Sequence, residues 1–501
     1  MSGEKVARSA AYYETVTLPL FRHAKNALHF SRRVDQAHAV MLAETGILSR
    51  EDVATILAGI RSVDAALDIK SLDTPEPFED LFFFLEDRLI KQIGSAIGGN
   101  LHLARSRNDL EATVFRLALK ENLRLAIAAY LDQTDSLLSK AEAERDTIVV
   151  AFTHGQPAQP TTFGHYLAAK IEADIRHARR MFAAYDDMDA CPLGAVAITT
   201  TGFPIDRHRV ASLLGFRQVQ ENSYGCIAAA DYLLATYSAL RNALIDIGRL
   251  SQDLALWSNG ALSQIRVSDE FCQISSVMPQ KRNPLAIEYI RTLASLTAAN
   301  CDAVMTAIHN APFADMVDAE TPTQTVGASA MEEFQRVCNL TQGLVTGLEV
   351  DARGVDALIA SSTAGATELA DSFVRRENLS FRQAHVLTQA LAASALTAGQ
   401  DLLDIDAETA AHEFEAITGH AMKGDWLEHL NALSPEESVR VREVFGGPGP
   451  EALGASLKRY RTDLADLRSK LKQTNDTEIE SQARLQEAVR SFPSPEPENK
   501  T

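Results

Sequence analysis

The stretch 109–145, DLEATVFRLALKENLRLAIAAYLDQTDSLLSKAEAER, holds neither glycine nor proline across 37 residues. Its apolar positions Leu110, Val114, Leu117, Ile127 and Leu131 recur at helical spacing. At 1.5 Å per residue the spacing predicts a rod on the order of 50 Å long. Four more long segments follow, at 161–188, 228–258, 284–309 and 323–350. Short polar or glycine-containing connections separate most of them. The exception, 189–227, reads as irregular structure or a short hairpin. Five successive rods imply an elongated bundle. Several carry apolar residues on more than one face, so the bundle is expected to bury itself against further copies of the chain. The fold class is all-α.

Outside the rods the pattern is shorter and more broken. Residues 1–20 lack periodicity and read as an extended arm. Short helices are expected from Phe21 to Ile69, with a break at Gly46 and a cap at Ser49–Asp52, and again from Glu79 to Ile93. The glycine-rich GSAIGGN at 94–100 lacks the lysine of a phosphate loop and reads as a turn. After about residue 355 the helices are expected to shorten. Residues 366–397 read as helical with a break near Asn378, and GGPGP at 446–450 reads as a loop. The end, 492–501, has the composition of a disordered tail. The expected division is an N-terminal helical domain (1–108), the bundle (109–355), a C-terminal helical domain (356–491) and the tail (492–501).

A net charge of −19 over 501 residues disfavours nucleic acid or an anionic membrane as the main partner. Neither a signal segment nor a bilayer-spanning apolar run is evident. Cys191, Cys226, Cys272, Cys301 and Cys338 lack metal-ligand spacing and read as reduced, mostly buried thiols, which suits a cytoplasmic protein.

Three polar islands interrupt the apolar pattern. His102–Asp109, HLARSRND, precedes the first rod. Its guanidinium groups could bind carboxylates in bidentate fashion, or it could be a helix start with solvated charges. Thr153–Thr162, THGQPAQPTT, joins the first two rods. There His154 is either a proton-exchanging group or a structural histidine in a loop stiffened by Pro157 and Pro160. Gln273–Arg291, QISSVMPQKRNPLAIEYIR, runs from two serines through Lys281 and Asn283 into a helix starting near Pro284. A hydroxyl, an amine and an amide beside a helix N-terminus suit a carboxylate, although an ordinary capped loop would show the same composition.

Together the islands resemble the fumarase/aspartase superfamily, and within it the argininosuccinate lyase branch. SSVMPQKRNP matches the superfamily signature GSSxMPxKxN at nearly every position, and RSRND is characteristic of the branch. MLAETGIL, PLGAVAI, FPIDR, LWS, ATELADSFVRR and GGPGP also look like it, so the likeness runs from about residue 30 to 460. It implies a homotetramer in which central domains form a twenty-helix core and each site draws on three subunits. Carried over by position, Ser275 is implied as the base that removes the Cβ proton. Lys281 and Asn283 are implied to hold the adjacent carboxylate as an aci-carboxylate develops. Ser106, Arg107, Asn108 and Thr153, with Ser276 and Met278 of the signature loop, are implied to bind substrate. His154 matches the family histidine and Glu288 its acidic partner. No metal, nucleotide or flavin is implied.

Departures from the family pattern bear on the substrate. Ile274 replaces the glycine before the serines, Ala104 the glycine before RSRND, and Phe82 the histidine of EDIH. Gly225, Ala228 and Ala230 stand where the family is polar. In the region of the family's YNKDLQ, whose side chains contact the substrate beyond its succinate part, this chain has Asp315, Val317 and Glu320. The resemblance therefore implies an intact fumarate-releasing half and a rebuilt amine half. The expected activity is a C–N lyase acting on an N-substituted aspartate, such as an aminopolycarboxylic acid of the ethylenediamine-N,N′-disuccinate type. Argininosuccinate is the second candidate and adenylosuccinate a distant third. A crystallin-like structural role is the non-enzymatic alternative.

Overall fold

The computed structural model describes residues 9–73 and 78–493. The five rods are present: α1 (Arg107–Ala143), α2 (Phe163–Met188), α3 (Asp231–Trp257), α4 (Leu285–Ile308) and α5 (Thr321–Thr346). Ser106 and Asp109 start α1 with a reciprocal capping box. α1 then runs unbroken for 37 residues, about 55 Å. It packs along α2 and α5, while α4 packs along α3 and α5. One apolar core threads all five, from Leu123, Ile127 and Tyr130 through Phe163 and Leu240 to Phe334. The class is all-α, as expected.

Between α1 and α2 the chain makes an antiparallel hairpin, β1 (Ile148–Thr153) with β2 (Gln156–Thr162). His154 and Gly155 form its turn with φ of 53° and 73°. Both central residues at positive φ give a turn whose twist matches the strands. A two-stranded ribbon consists only of edges, so Pro157 and Pro160 are tolerated. The hairpin thus falls here and not in 189–227. That segment instead holds a short parallel bridge between 190–191 and 218–219 and the helix Arg207–Leu214.

Two other expectations are corrected. Helices begin at Ala10 and continue to Asn26, so the described part of the 1–20 segment is helical and not an extended arm; residues 1–8 lie outside the described residues. Helices also do not stay short after residue 355: the longest among the described residues is α6, Pro450–Arg490, with 41 residues. Its buried positions Leu453, Leu457, Tyr460, Leu464, Leu467 and Leu471 alternate in steps of four and three, the spacing of a coiled-coil seam. That seam lies on α1 and α2. Ion pairs flank it, from Arg179 to Asp463 at 2.9 Å and from Lys470 to Asp186 at 2.8 Å.

The first four longer helices, Leu18–Asn26, Leu28–Glu44, Arg50–Ala66 and Leu81–Ile93, pack at one end of the bundle. Leu485 and Phe492 close their core, and the Arg50 guanidinium covers the Phe492 ring at 4.4 Å. Phe492, placed by its composition in a disordered tail, is therefore buried, whereas 494–501 lie outside the described residues. The helices Ala366–Glu377, Phe381–Ala398 and Ala407–Thr418 surround a separate core of Phe373, Phe414 and Trp426.

Truncating Leu464 to alanine should cost about 2–5 kcal/mol, the usual range for a buried leucine. Denaturant unfolding measures it, and a change below about 0.5 kcal/mol would contradict the buried seam.

Candidate active site

The RSRND island is built around the start of α1. The Ser106 hydroxyl accepts from the Asn108 N–H at 3.3 Å, and the Asp109 carboxylate accepts from the Ser106 N–H at 2.9 Å. Ala104 has φ of 56°; a side chain there costs roughly 1 kcal/mol relative to glycine. The two arginines pair with different carboxylates. Arg105 is buried and donates to Asp35 at 2.8 Å. Arg107 donates to Asp80 at 2.5 Å, lies 3.8 Å from Glu79 and stacks over the Phe83 ring. Asn108 does face a cavity. Its amide nitrogen donates to the Ala197 carbonyl at 3.1 Å and to the Asp315 carboxylate at 2.6 Å.

That cavity, about 510 Å³, is lined by four of the positions at which the chain departs from its family pattern, Ala228, Ala230, Asp315 and Glu320. Ala228 and Ala230 form one wall, and Asp315 and Glu320 another, with Asn108 and Glu111 between them. The small side chains open the space and the acidic ones set its charge. Burial, reinforced by Glu320, Asp80 and Asp315 and opposed by Arg107, pushes the Glu111 carboxyl up to about 8. Burial also raises Asp315, against the pull of Arg107 and Asn108, and raises Glu320, with Asp315 adding to the effect. Behind Glu111 and Phe115 lies a smaller cavity of about 100 Å³, lined by Phe82, Glu86, His102 and Arg105. There the Phe82 ring lies 4.7 Å from His102, whose pKa burial and then Arg105 lower to about 4.

The serine loop is closed by two short strands, β3 (Gln273–Ile274) and β4 (Arg282–Asn283). The Ser275 hydroxyl oxygen accepts from the N–H groups of Met278 at 3.0 Å and Val277 at 3.3 Å. Two donors on that oxygen favour its deprotonated form. Pro284 caps α4, so Lys281 and Asn283 lie just before a helix N-terminus, whose positive end adds to the Lys281 charge. Ser276, Met278 and Lys281 are exposed, and Asn283 is half-buried. Glu288, in the first turn of α4, is exposed. Ile274 and Val277 are 87% and 83% exposed, which leaves apolar surface on the loop uncovered.

Thr153 and His154 are exposed at the hairpin. The hairpin follows the C-terminal end of α1, so some 50 Å of helix separates it from Asn108. The serine loop likewise precedes α4, whereas the cavity lies at the other end of α4, beside Ile308. One chain therefore brings Ser106, Arg107 and Asn108 together at one end of the bundle. It places Thr153, His154, Ser275, Ser276, Met278, Lys281, Asn283 and Glu288 towards the other.

Sequence reading did not single out Glu111. Its signal was present: it is an acidic residue one helical turn after Arg107, between the apolar positions Leu110 and Val114. Another polar line is sealed. In the C-terminal core Ser372 is 2.9 Å from His429, which is 3.3 Å from Glu377, all three buried. No substrate could reach that serine. Among the described residues no group of three or more His, Cys, Asp or Glu side chains could hold a metal ion, and no helix is long and apolar enough to cross a membrane.

A family model described as Lyase matches residues 9–296, and one described as Argininosuccinate lyase C-terminal matches residues 363–440. A protein of Agrobacterium fabrum named argininosuccinate lyase 2 is 43% identical over 477 residues, 95% of each chain. The chain belongs to the argininosuccinate lyase branch of the fumarase/aspartase superfamily. As in that branch, it is a fumarate-releasing carbon–nitrogen lyase. A crystal structure of EDDS lyase in complex with formate shares its architecture, with a TM-score of 0.85 and 28% identity over 97% of this chain and 96% of that one. An EDDS lyase variant with bound fumarate also matches at 0.85 and 28%, covering 98% and 97% of the two chains.

Glu111 gives a pH signature. Its carboxyl ionises from 4.5 in the ordinary case but only near 8 here. Between those values the folded chain holds the extra proton, so this residue's contribution to stability falls as pH rises and levels off above about 8. Glu111→Gln removes that loss. Its melting temperature relative to the parent should rise from about pH 5 to about pH 8.5; a flat difference would contradict the buried carboxyl.

Proposed function

We propose that the substrate is an N-substituted aspartate, cleaved to fumarate and an amine at a site completed by three copies of the chain. One copy supplies the loop of Ser275, Ser276, Met278, Lys281 and Asn283, with Glu288 behind it. A second supplies Ser106, Arg107 and Asn108, and a third Thr153 and His154. The observation that carries this reading is the Ser275 oxygen, which accepts from the N–H groups of Val277 and Met278 in the loop that runs through Lys281 and Asn283 into α4. The roughly 50 Å between the ends of α1 supports completion by other copies. So do the uncovered apolar residues Tyr289 and Leu296 on α4.

In this reading the Ser275 oxygen, as alkoxide, takes the Cβ proton. The electron pair moves onto the carboxylate held by Lys281 and Asn283, giving an aci-carboxylate. Its collapse forms the fumarate double bond and breaks the C–N bond, with the pair leaving on nitrogen. The amine is then protonated, by His154 or by solvent. Fixed donors where charge develops lower the barrier selectively. Likeness to EDDS lyase at 0.85 over nearly the whole chain favours an aminopolycarboxylic substrate. The 43% identity to an argininosuccinate lyase keeps argininosuccinate as the second candidate.

Ser275→Ala should lower turnover by about 10²–10⁴-fold, with melting temperature and oligomer size unchanged, in an ultraviolet assay for fumarate. Full activity would place the base elsewhere. Mixing inactive Ser275→Ala and Asn108→Ala proteins under subunit exchange should restore part of the activity. Absence of rescue, with exchange demonstrated, would exclude sites shared between copies. Failure to form or consume fumarate with any aspartate adduct or amine would favour a crystallin-like role.

A further inference from the structure

The hairpin that presents Thr153 and His154 has little of its own to hold it in one direction. A two-stranded ribbon is marginal in water, and this one is weakened towards its tip. Pro157 and Pro160 offer no N–H to the ladder, and the register slips between Ala151 and Phe152. Apolar packing reaches Phe152, whose ring lies 6.4 Å from Trp257, while Thr153 and His154 beyond it are exposed.

Side chains from elsewhere in the chain close both edges of the ribbon at one level, where Val150 stands opposite Pro160. Val150 is buried, and the Gln264 amide takes both of its backbone groups. The Val150 N–H donates to Oε1 at 2.7 Å, and its carbonyl accepts from Nε2 at 3.2 Å. On the other edge the Pro160 carbonyl accepts from Arg442 at 3.4 Å. The Gln264 clamp is the tighter of the two, since a fully buried side chain makes two bonds there in the manner of a third strand.

Gln264 is itself firmly mounted. Its carbonyl accepts from the Asp351 N–H at 2.9 Å, and the next residue, Ile265, pairs with Val350 in a short antiparallel ribbon. Ser263, just before it, lies at φ of 48° and packs closely on Gly354, where a Cβ would meet the Ser263 carbonyl at 2.0 Å. All these partners belong to one chain and Gln264 is fully covered within it, so neighbouring copies add no contact to the clamp.

We infer that Gln264 is a positioning residue for the lyase reaction: by closing the outer edge of β1 at Val150 it fixes the direction in which the hairpin presents Thr153 and His154. The inference rests on the reading that the hairpin tip completes a site in the assembly. Thr153 lies three residues beyond Val150, roughly 10 Å along the strand. A swing of about 6° at the clamp moves it by about 1 Å, and misplacement on that scale can cost about 10²-fold in rate.

The test uses the full-length protein and follows fumarate release from ethylenediamine-N,N′-disuccinate or argininosuccinate, whichever the parent cleaves faster. Gln264→Met keeps the length of the side chain and removes its donor and acceptor. It should lower kcat/KM by about 10–100-fold in the parent, with oligomer size unchanged. In a His154→Asn background the same change should cost less than about threefold, because the group it positions is already gone; asparagine tolerates the φ of 53° at that position. Gln264→Glu covers a Gln264→Met protein that does not fold. Its carboxyl accepts and donates as the amide does while neutral, and loses the donor on ionising. Its kcat/KM relative to the parent is expected to fall from about pH 6 to about pH 9 with His154 present, and to stay level in the His154→Asn background. Equal fold-losses in both backgrounds, or a fall with pH that persists without His154, would overturn the inference and leave the lyase reading standing. Full activity of His154→Asn alone would overturn it together with the place given to the hairpin. Inertness of the parent towards every aspartate adduct would overturn the lyase reading as well.

Discussion

The carboxylate of Asp109 organises the substrate end of the molecule. Fully buried at the first turn of α1, it accepts from the N–H groups of Ser106, Gly194 and Val196 at 2.9, 2.8 and 2.9 Å. One oxygen completes the cap that starts the longest rod of the bundle. The other pins the loop PLGAVAI, in which Val196 has φ of 56°. A β-branched residue pays for that conformation with about 1–3 kcal/mol of strain, and the bond to Asp109 holds it in place. Ala197, next along, receives the Asn108 amide. Cap, loop and the Asn108 amide thus share one buried anion.

Two further bonds extend that anchoring along α1. Arg116 donates to the Ala190 carbonyl at 3.0 Å and lies over the Tyr232 ring, and Lys120 pairs with Asp189. The irregular segment after α2 is therefore fastened to α1 at successive turns. α3 is fastened through Tyr232, immediately beside the cavity wall. The space next to Asn108 has a fixed outline on these sides. On the remaining side, the wall from Ala311 to Glu320 is a short loop with a single helical turn, and it carries three acidic residues, Asp315, Asp318 and Glu320.

The rods, their order and the polar islands were legible in the sequence because they depend on local signals: unbroken helical periodicity, a cap, a run of signature residues. What escaped depends on partners far along the chain. α6 shows its four-three spacing in the sequence, but polar residues crowd the other positions, and only α1 and α2 reveal the seam as core. The hairpin at His154 was hidden by two prolines that a ribbon made only of edges accepts. Phe492 looked like part of a tail because its partners, Arg50 and the N-terminal core, lie more than 400 residues earlier. At the site, the departures at 228, 230, 315 and 320 could be seen one by one. That they line one cavity with Glu111 follows only from the antiparallel return of α4. The ion pairs that hold Arg105 and Arg107 were equally invisible, since Asp35 and Asp80 lie in other parts of the chain.

α4 keeps two kinds of change apart. Its N-terminus follows the loop proposed to handle the proton and the carboxylate, and its C-terminus leads into the charged wall of the cavity beside Asn108. With 24 residues, about 36 Å, between them, a substitution at one end does not disturb packing at the other. A duplicated gene could thus explore new leaving groups through the 311–320 segment while its elimination chemistry stays under unbroken selection. Descendants of such a copy would share one reaction and differ in what they release.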